Sequence, residues 1–170
     1  IRDASARRLE ARLDLADWID GGQGQFTGYW QQRERGFAAP GQVFGNGEAV
    51  RQFGVQGSMA LSEASELRVK ADSRVADTQT QRNVEVGVAT QLDTQWKLSG
   101  ALRHDRRDNA VANASPALSQ NGARTDAVVR ADYIPPKEDG TLGQTEDWSA
   151  YGSVQATLAR SGEREANHRA

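Results

Sequence analysis

Apolar residues recur at every second position over most of the chain, and this period constrains the fold more than any other feature of the sequence. In one stretch the residues of one parity are apolar or glycine, and those between them are small or polar: Phe53-Gly54-Val55-Gln56-Gly57-Ser58-Met59-Ala60-Leu61. A period of two is typical of a strand with two unlike faces, whereas a helix repeats every 3.6 residues. The sequence therefore predicts an all-β protein.

Seven segments alternate clearly, and Phe26–Arg35 is an eighth, weaker candidate strand. The clear segments are 9–15, 53–61, 67–75, 84–92, 96–105, 126–133 and 148–158. A helix is the alternative for the first of them, because its Ala, Leu, Arg and Glu residues favour helix. Links are predicted at 36–48, 63–66, 77–81, 93–95, 106–124 and 137–146, where polar residues, Gly and Pro concentrate.

The predicted strands are long and follow one another as hairpins, which indicates an antiparallel up-and-down meander of about eight strands. Ordinary globular strands centre on about 5–6 residues, whereas a tilted membrane-spanning strand needs about 9–11. The predicted lengths of about 9–12 therefore favour a complete or partial transmembrane β-barrel. We expect residues 1–170 to form a single domain, cut from a longer chain because no initiator Met opens it, with the weakest strand assignments in 1–48. Another strand is expected to begin beyond Gly162.

Composition excludes several other classes of protein. The mean hydropathy of −0.72 excludes a helical membrane protein, and the lack of cysteine excludes a disulfide scaffold and a cysteine-based metal site. The chain has 21 basic and 23 acidic residues, so it lacks the basic excess of a nucleic-acid-binding protein. No nucleic-acid partner is expected.

The parity opposite the apolar one carries closely spaced charges of both signs. Arginine dominates its cations, which suits crowded carboxylate networks, although a GC-rich genome that writes Arg for Lys is an alternative explanation. Balanced signs favour a bracing network inside a lumen over a selective pore, which usually has an excess of one sign. The candidate lumen network is Arg68, Lys70, Asp72, Arg74, Glu85, Arg103, Asp105, Asp126, Arg130 and Asp132.

Four aromatic residues lie at or near predicted strand ends. Trp96 and Trp148 open strands, Tyr133 closes one, and Trp18 follows another. Trp and Tyr at the two membrane interfaces form the girdles of outer-membrane barrels. The four are therefore candidates for such a girdle.

Two strands carry a family resemblance: Trp96-Lys97-Leu98-Ser99-Gly100-Ala101-Leu102-Arg103-His104-Asp105 and Trp148-Ser149-Ala150-Tyr151-Gly152-Ser153-Val154-Gln155. Their pattern resembles the outer-membrane β-barrel region of large Gram-negative, proteobacterial envelope proteins, of the kind often linked to an OmpA-type domain. The resemblance implies residence in the cell outer membrane, contact with outer-membrane lipid, and possible completion by the rest of a larger barrel. It implies a structural or passive, porin-like role. A soluble all-β interaction or adhesin module and an outer-membrane hydrolase are the alternatives.

Signals for catalysis are sparse, and no catalytic, cofactor or metal site is predicted. His104 and Asp105 could form a base and its orienting group, but adjacent residues of a strand point to opposite faces. Asp105, Asp108 and Asn109 carry oxygen ligands suited to a divalent cation, yet their spacing matches no EF-hand. We expect a non-enzymatic protein without cofactors.

Overall fold

A single antiparallel sheet of eight strands makes up the fold, and each strand pairs with its neighbours in sequence. The computed structural model describes residues 4–37, 47–109, 121–135 and 149–169. The meander predicted from the sequence is therefore confirmed. The strands are β1 (Ala6–Asp14), β2 (Gly24–Arg33), β3 (Val50–Ala60), β4 (Ser65–Ala76), β5 (Gln79–Gln91), β6 (Trp96–Asn109), β7 (Gly122–Tyr133) and β8 (Ala150–Arg160).

The first alternating segment is a strand, and the helical alternative is wrong for it. β1 pairs with β2 along its whole length, from Ala6 opposite Arg33 to Asp14 opposite Gln25. These backbone hydrogen bonds override the weak helix propensity of the segment. Leu15, predicted to end this strand, instead opens a short 3₁₀ helix, Leu15–Asp17, and is buried there. Within the described residues, no helix is long and apolar enough to cross a membrane.

Several links differ from those predicted. β6 runs on to Asn109 and β7 begins at Gly122, so both strands enter the expected loop at 106–124. The link between β4 and β5 is the residue pair Asp77–Thr78, because pairing already resumes at Gln79. Beyond Gly162 the expected strand is reduced to one bridge, between Gln155 and Arg169. Most of the predicted links 36–48 and 137–146 lies outside the described residues.

The tight β4–β5 link anchors the connection between β2 and β3. The Asp77 carboxylate accepts the Ala49 N–H at 3.1 Å and the Arg35 Nη2 at 2.9 Å, and Thr78 donates to Glu48 at 2.8 Å. The Ala49 N–H, followed by the Arg35 guanidinium, lowers the pKa of Asp77. This end of the sheet, with the β2–β3, β4–β5 and β6–β7 links, is called the β2–β3 end below, and the opposite one the β1–β2 end.

The strand register gives the sheet two unlike faces. A row of paired positions crosses all eight strands on one face and contains only apolar residues and glycine: Leu13, Phe26, Gly57, Val69, Val86, Leu102, Ala127 and Ala156. Because pairing keeps parity from strand to strand, the alternating apolar residues share this face. It is called the apolar face, and the other the polar face.

Glycines of β3 are covered by aromatic rings of β2. A Cβ added to Gly57 would overlap the ring of its cross-strand partner Phe26, on the apolar face. On the polar face, a Cβ at Gly54 would lie 2.6 Å from the Tyr29 ring. Rings lying over glycines fill the space that the missing side chains leave and help to fix the register.

We predict that Gly57→Ala lowers the free energy of unfolding by about 1–3 kcal/mol, because the new methyl group displaces the Phe26 ring. Gly152→Ala is the matched control, since a Cβ there meets no atom within 4 Å. It should leave stability unchanged or raise it by up to about 1 kcal/mol. Denaturant unfolding followed by tryptophan fluorescence, in the medium that keeps the wild type folded, measures both. Equal effects of the two substitutions would contradict the packing argument.

Candidate functional site

Most of the large apolar side chains in the described part of the chain are exposed. Val84, Val86 and Val88 of β5 are 48%, 45% and 40% exposed, and Leu102 and Val154 are more exposed still. Among the described residues, the buried apolar side chains are Leu15, Val50 and Ala89. A soluble domain keeps such a sheet face against a core, so this arrangement leaves an extended apolar surface uncovered.

Aromatic residues border this apolar surface at the β1–β2 end. Trp96 and Tyr133 are cross-strand partners whose rings lie 4.8 Å apart, and Trp18 is 76% exposed in the β1–β2 link. Exposed Ile19 and Ile134 lie at the same end. The up-and-down order brings these three predicted girdle residues to one end of the sheet, not to both. Trp148 lies outside the described residues.

A second aromatic pair borders the apolar surface toward the β2–β3 end. Trp30 and Phe53 are partners in register on the apolar face. Arg51, two residues before Phe53 on the same strand and face, lies closer to that end of the sheet. The sequence analysis did not assign Trp30 or Phe53 to a girdle, because only the register shows that they are neighbours. The apolar surface thus has aromatic residues at both borders.

The polar face curves around a cavity of about 550 Å³. Its lining includes Gln25 and Thr27 of β2 and Arg130 of β7. Strands β2 and β7 are separated by four others, and at about 4.8 Å per strand a flat sheet would hold them about 24 Å apart. The sheet must therefore curl toward its polar face, which becomes the inner surface.

All ten residues of the predicted charge network lie on this inner face, by strand register. Two ion pairs join members of this set: Arg103 donates to Glu85 at 2.7 Å, and Arg130 to Asp132 at 2.5 Å. Arg68 instead pairs with Glu66 at 2.6 Å. Lys70 and Arg74 have no carboxylate within ion-pair distance in the described part of the chain. The network is a set of local pairs.

Asp72 is held by uncharged groups. The Tyr29 hydroxyl donates to its carboxylate, and the Gln52 Nε2 donates at 3.0 Å. Gln52 also donates to the Tyr29 oxygen at 2.9 Å, which closes a three-residue cluster across β2, β3 and β4. Gly54 leaves the space that the Tyr29 ring occupies in this cluster.

The two most buried carboxylates lie near the β2–β3 end, under a segment that follows β8. Residues 161–169, called the C-terminal strap, begin beside β7, place Arg164 on the polar face and end with Arg169 paired to Gln155 of β8. Arg164 of the strap is 3% exposed and pairs with Asp105 of β6, which Arg107 also approaches at 3.5 Å. The Glu163 N–H donates to the Asn121 oxygen at 2.7 Å. The strap therefore fills part of the curled sheet's interior.

Asp126 of β7 is 2% exposed and fully engaged. It accepts hydrogen bonds from Arg124 Nε at 2.9 Å, Thr157 Oγ1 at 2.7 Å and Gln155 Nε2 at 3.3 Å. Burial of a carboxylate requires such compensation, because an unpaired buried charge is strongly destabilising.

Several partners in these clusters were not predicted from the sequence. Most of them share the parity of the polar face, but Glu66, Arg107 and Arg124 fall in segments predicted as links, so only Tyr29 and Gln52, at or beside predicted strands, could have been found from alternation. Arg164 carries no such signal, because it lies outside the eight strands.

The two constellations considered for chemistry do not converge. His104 is exposed and bonds Thr125 Oγ1 at 2.9 Å, whereas Asp105 is buried on the opposite face. Asp108 pairs with Arg106 at 3.0 Å on the apolar face, away from Asp105. Within the described ranges, no three His, Cys, Asp or Glu residues are grouped so that they could hold a metal ion.

Comparison with known proteins gives no relative: no family model, curated protein or solved structure matches this chain. Its function must therefore be argued from the arrangement of its own residues.

We predict that Asp126→Asn lowers the free energy of unfolding by about 3 kcal/mol or more, because it leaves the Arg124 guanidinium uncompensated in a largely buried position. Glu66→Gln is the matched control. It breaks an ion pair of the same spacing, two residues apart on the polar face, but an exposed one. That change should cost about 0–1 kcal/mol. Denaturant unfolding of both variants checks the prediction, and equal losses would overturn it.

Proposed function

We propose that this chain is an outer-membrane β-barrel segment with a structural or passive pore role and no catalytic activity. The observation that carries the proposal is the distribution of polarity, with large apolar side chains exposed on one face and the charged side chains gathered on the other, toward which the sheet curls. Outer-membrane barrels have an apolar outer band and a polar interior. The likeness of two strands to Gram-negative outer-membrane barrels, seen in the sequence, supports the same proposal.

The free energy of hydration favours a lipid environment for the apolar face. Full burial of a valine or leucine contributes about 1.5–3 kcal/mol, and these side chains, which are about half-exposed, forgo roughly half of it. The outer face exposes many such side chains, and contact with lipid hydrocarbon removes that cost without a protein core.

The size of the apolar surface fits a bilayer. On β6 the apolar face runs from Trp96 to His104, which is about 27 Å along the strand at about 3.4 Å per residue. A strand tilt of about 35–45° reduces this to a height of about 20 Å, close to the band of about 25 Å in outer-membrane barrels. Trp96 with Tyr133 and Trp30 with Phe53 take the places of the aromatic girdles.

The proposal requires a partner for the outer edges of β1 and β8. They are the first and last strands of the sheet, and Arg169 pairs with the edge of β8 only at Gln155. Hydrocarbon does not tolerate unpaired backbone groups. Closure of β1 on β8, or pairing of both with further strands of a larger barrel, satisfies them. In either form the partner of the outer face is outer-membrane lipid.

Insertion into lipid is the direct test. The full chain, refolded into detergent micelles and short-chain phosphatidylcholine liposomes, should show strand-type circular dichroism. It should also migrate faster on a gel when unheated than when boiled. A cooperatively melting monomer in plain buffer would reject the membrane role and favour the soluble adhesin-type module.

A matched pair of substitutions tests which solvent the apolar face meets. Val86 and Val75 lie on that face and are 45% and 43% exposed, but Val86 is central in its strand and Val75 is next to a strand end. In liposomes, Val86→Arg should cost about 2–4 kcal/mol and Val75→Arg about 0–1 kcal/mol. Denaturant titration in liposomes measures both. In water the two equally exposed sites should respond alike, so equal costs would contradict a lipid-facing surface.

A further inference from the structure

The cavity on the polar face has an excess of cationic side chains. Its charged lining residues are Arg68, Lys70, Glu85 and Arg130. Glu66 engages Arg68, Asp132 engages Arg130, and Arg103 engages the carboxylate Glu85. The lone carboxylate of the lining, Glu85, is the cross-strand partner of Lys70 on β5 but forms its ion pair with Arg103, so Lys70 is the lining cation without an ion pair among the described residues.

Lys70 faces Glu85 of β5, which Arg103 engages, and otherwise neighbours uncharged hydrogen-bonding groups of the lining. Gln56 is its cross-strand partner on β3, and Gln25, Thr27 and Ser99 belong to the same lining. None of these four side chains has a hydrogen-bond partner among the described residues. Amides and hydroxyls both donate and accept, so they suit a ligand that carries several hydroxyl groups.

The floor of the cavity is open because its residues are small. Gly87 and Ala101 are partners in register on the polar face, next to Ala89 and Ser99 on the same strands. The C-terminal strap reaches the polar face nearer the β2–β3 end, where Arg164 meets Asp105, and no strap residue belongs to the cavity lining. A cavity of about 550 Å³ therefore lies beside the ammonium group of Lys70, which makes no ion pair among the described residues.

We propose that this cavity binds a small polyhydroxylated carboxylate, with the carboxylate at Lys70 and the hydroxyl groups at Gln25, Gln56 and Ser99. A carboxylate is favoured over a cation because the net charge of the lining and its ion-pair partners is positive. A purely apolar ligand is disfavoured because it would leave the lysine and the amides unpaired. The volume lies within the range of ordinary small-molecule sites, about 300–1,000 Å³.

The inference deepens the proposed function, because the cavity lies where the lumen of the barrel would be. It depends on the curled sheet being folded, which is measured separately by the gel shift and circular dichroism. A folded, lipid-inserted protein without binding would reject this site and leave the membrane proposal intact. A folded, water-soluble protein that binds the probe would support this site and reject the membrane proposal.

The experiment is isothermal titration of the full chain, folded in a non-ionic detergent, with gluconate as the probe. Gluconate should bind, and glucose, which lacks the carboxylate, should bind at least about tenfold more weakly because it forgoes a charge-assisted hydrogen bond. Lys70→Gln should weaken gluconate binding by about tenfold or more and leave glucose binding unchanged.

Arg74→Gln is the matched control. Arg74 lies four residues from Lys70 on the same strand and face, is likewise without a carboxylate partner among the described residues, and does not line the cavity. This variant should bind gluconate like the wild type. Equal losses in the two variants would mean that gluconate responds only to overall charge, and no gluconate binding by the folded wild type would also overturn the proposal.

Discussion

Continuous backbone pairing from β1 to β8, with one register shift between β7 and β8, is the constraint on which the rest of this structure depends. Each strand pairs only with its sequence neighbours in the sheet, and the register keeps the residues of one parity on one face. A slip of one residue would exchange the two faces. Both the apolar surface and the charged surface follow from that single register.

On the inner face, the most buried carboxylates are compensated by nearby cations and hydrogen-bond donors. Asp126 and Asp105 are nearly inaccessible, and each is met by an arginine and by further donors or cations. Asp72 is held by a tyrosine and a glutamine instead. Short-range pairing of this kind compensates desolvation locally. Lys70, in contrast, makes no ion pair among the described residues, and the proposed binding site depends on its ammonium group.

Much of the fold and part of the candidate site could be predicted from alternation alone. The eight strands and the shared face of the ten charged residues follow from a period of two. The pairings within that face could not be predicted, since they depend on register and side-chain reach. Arg68 pairs along its own strand with Glu66, and Asp105 is matched by Arg164, 59 residues away. Link lengths were also poorly predicted, because polar residues such as Arg106 and Asp108 continue β6 beyond its apolar part.

The sequence by itself determined that this chain forms a two-faced antiparallel meander, because side chains of a strand alternate between faces whatever surrounds them. Only the tertiary structure decided toward which face the sheet curls. Alternation is the same for a sheet that curls toward its apolar residues and for one that curls toward its charges. Here the small residues Gly87 and Ala101, the ring of Tyr29 over Gly54 and the strap residue Arg164 all lie on the polar side. The sheet therefore curls toward its charged residues, and its valines and leucines lie on the opposite, convex face.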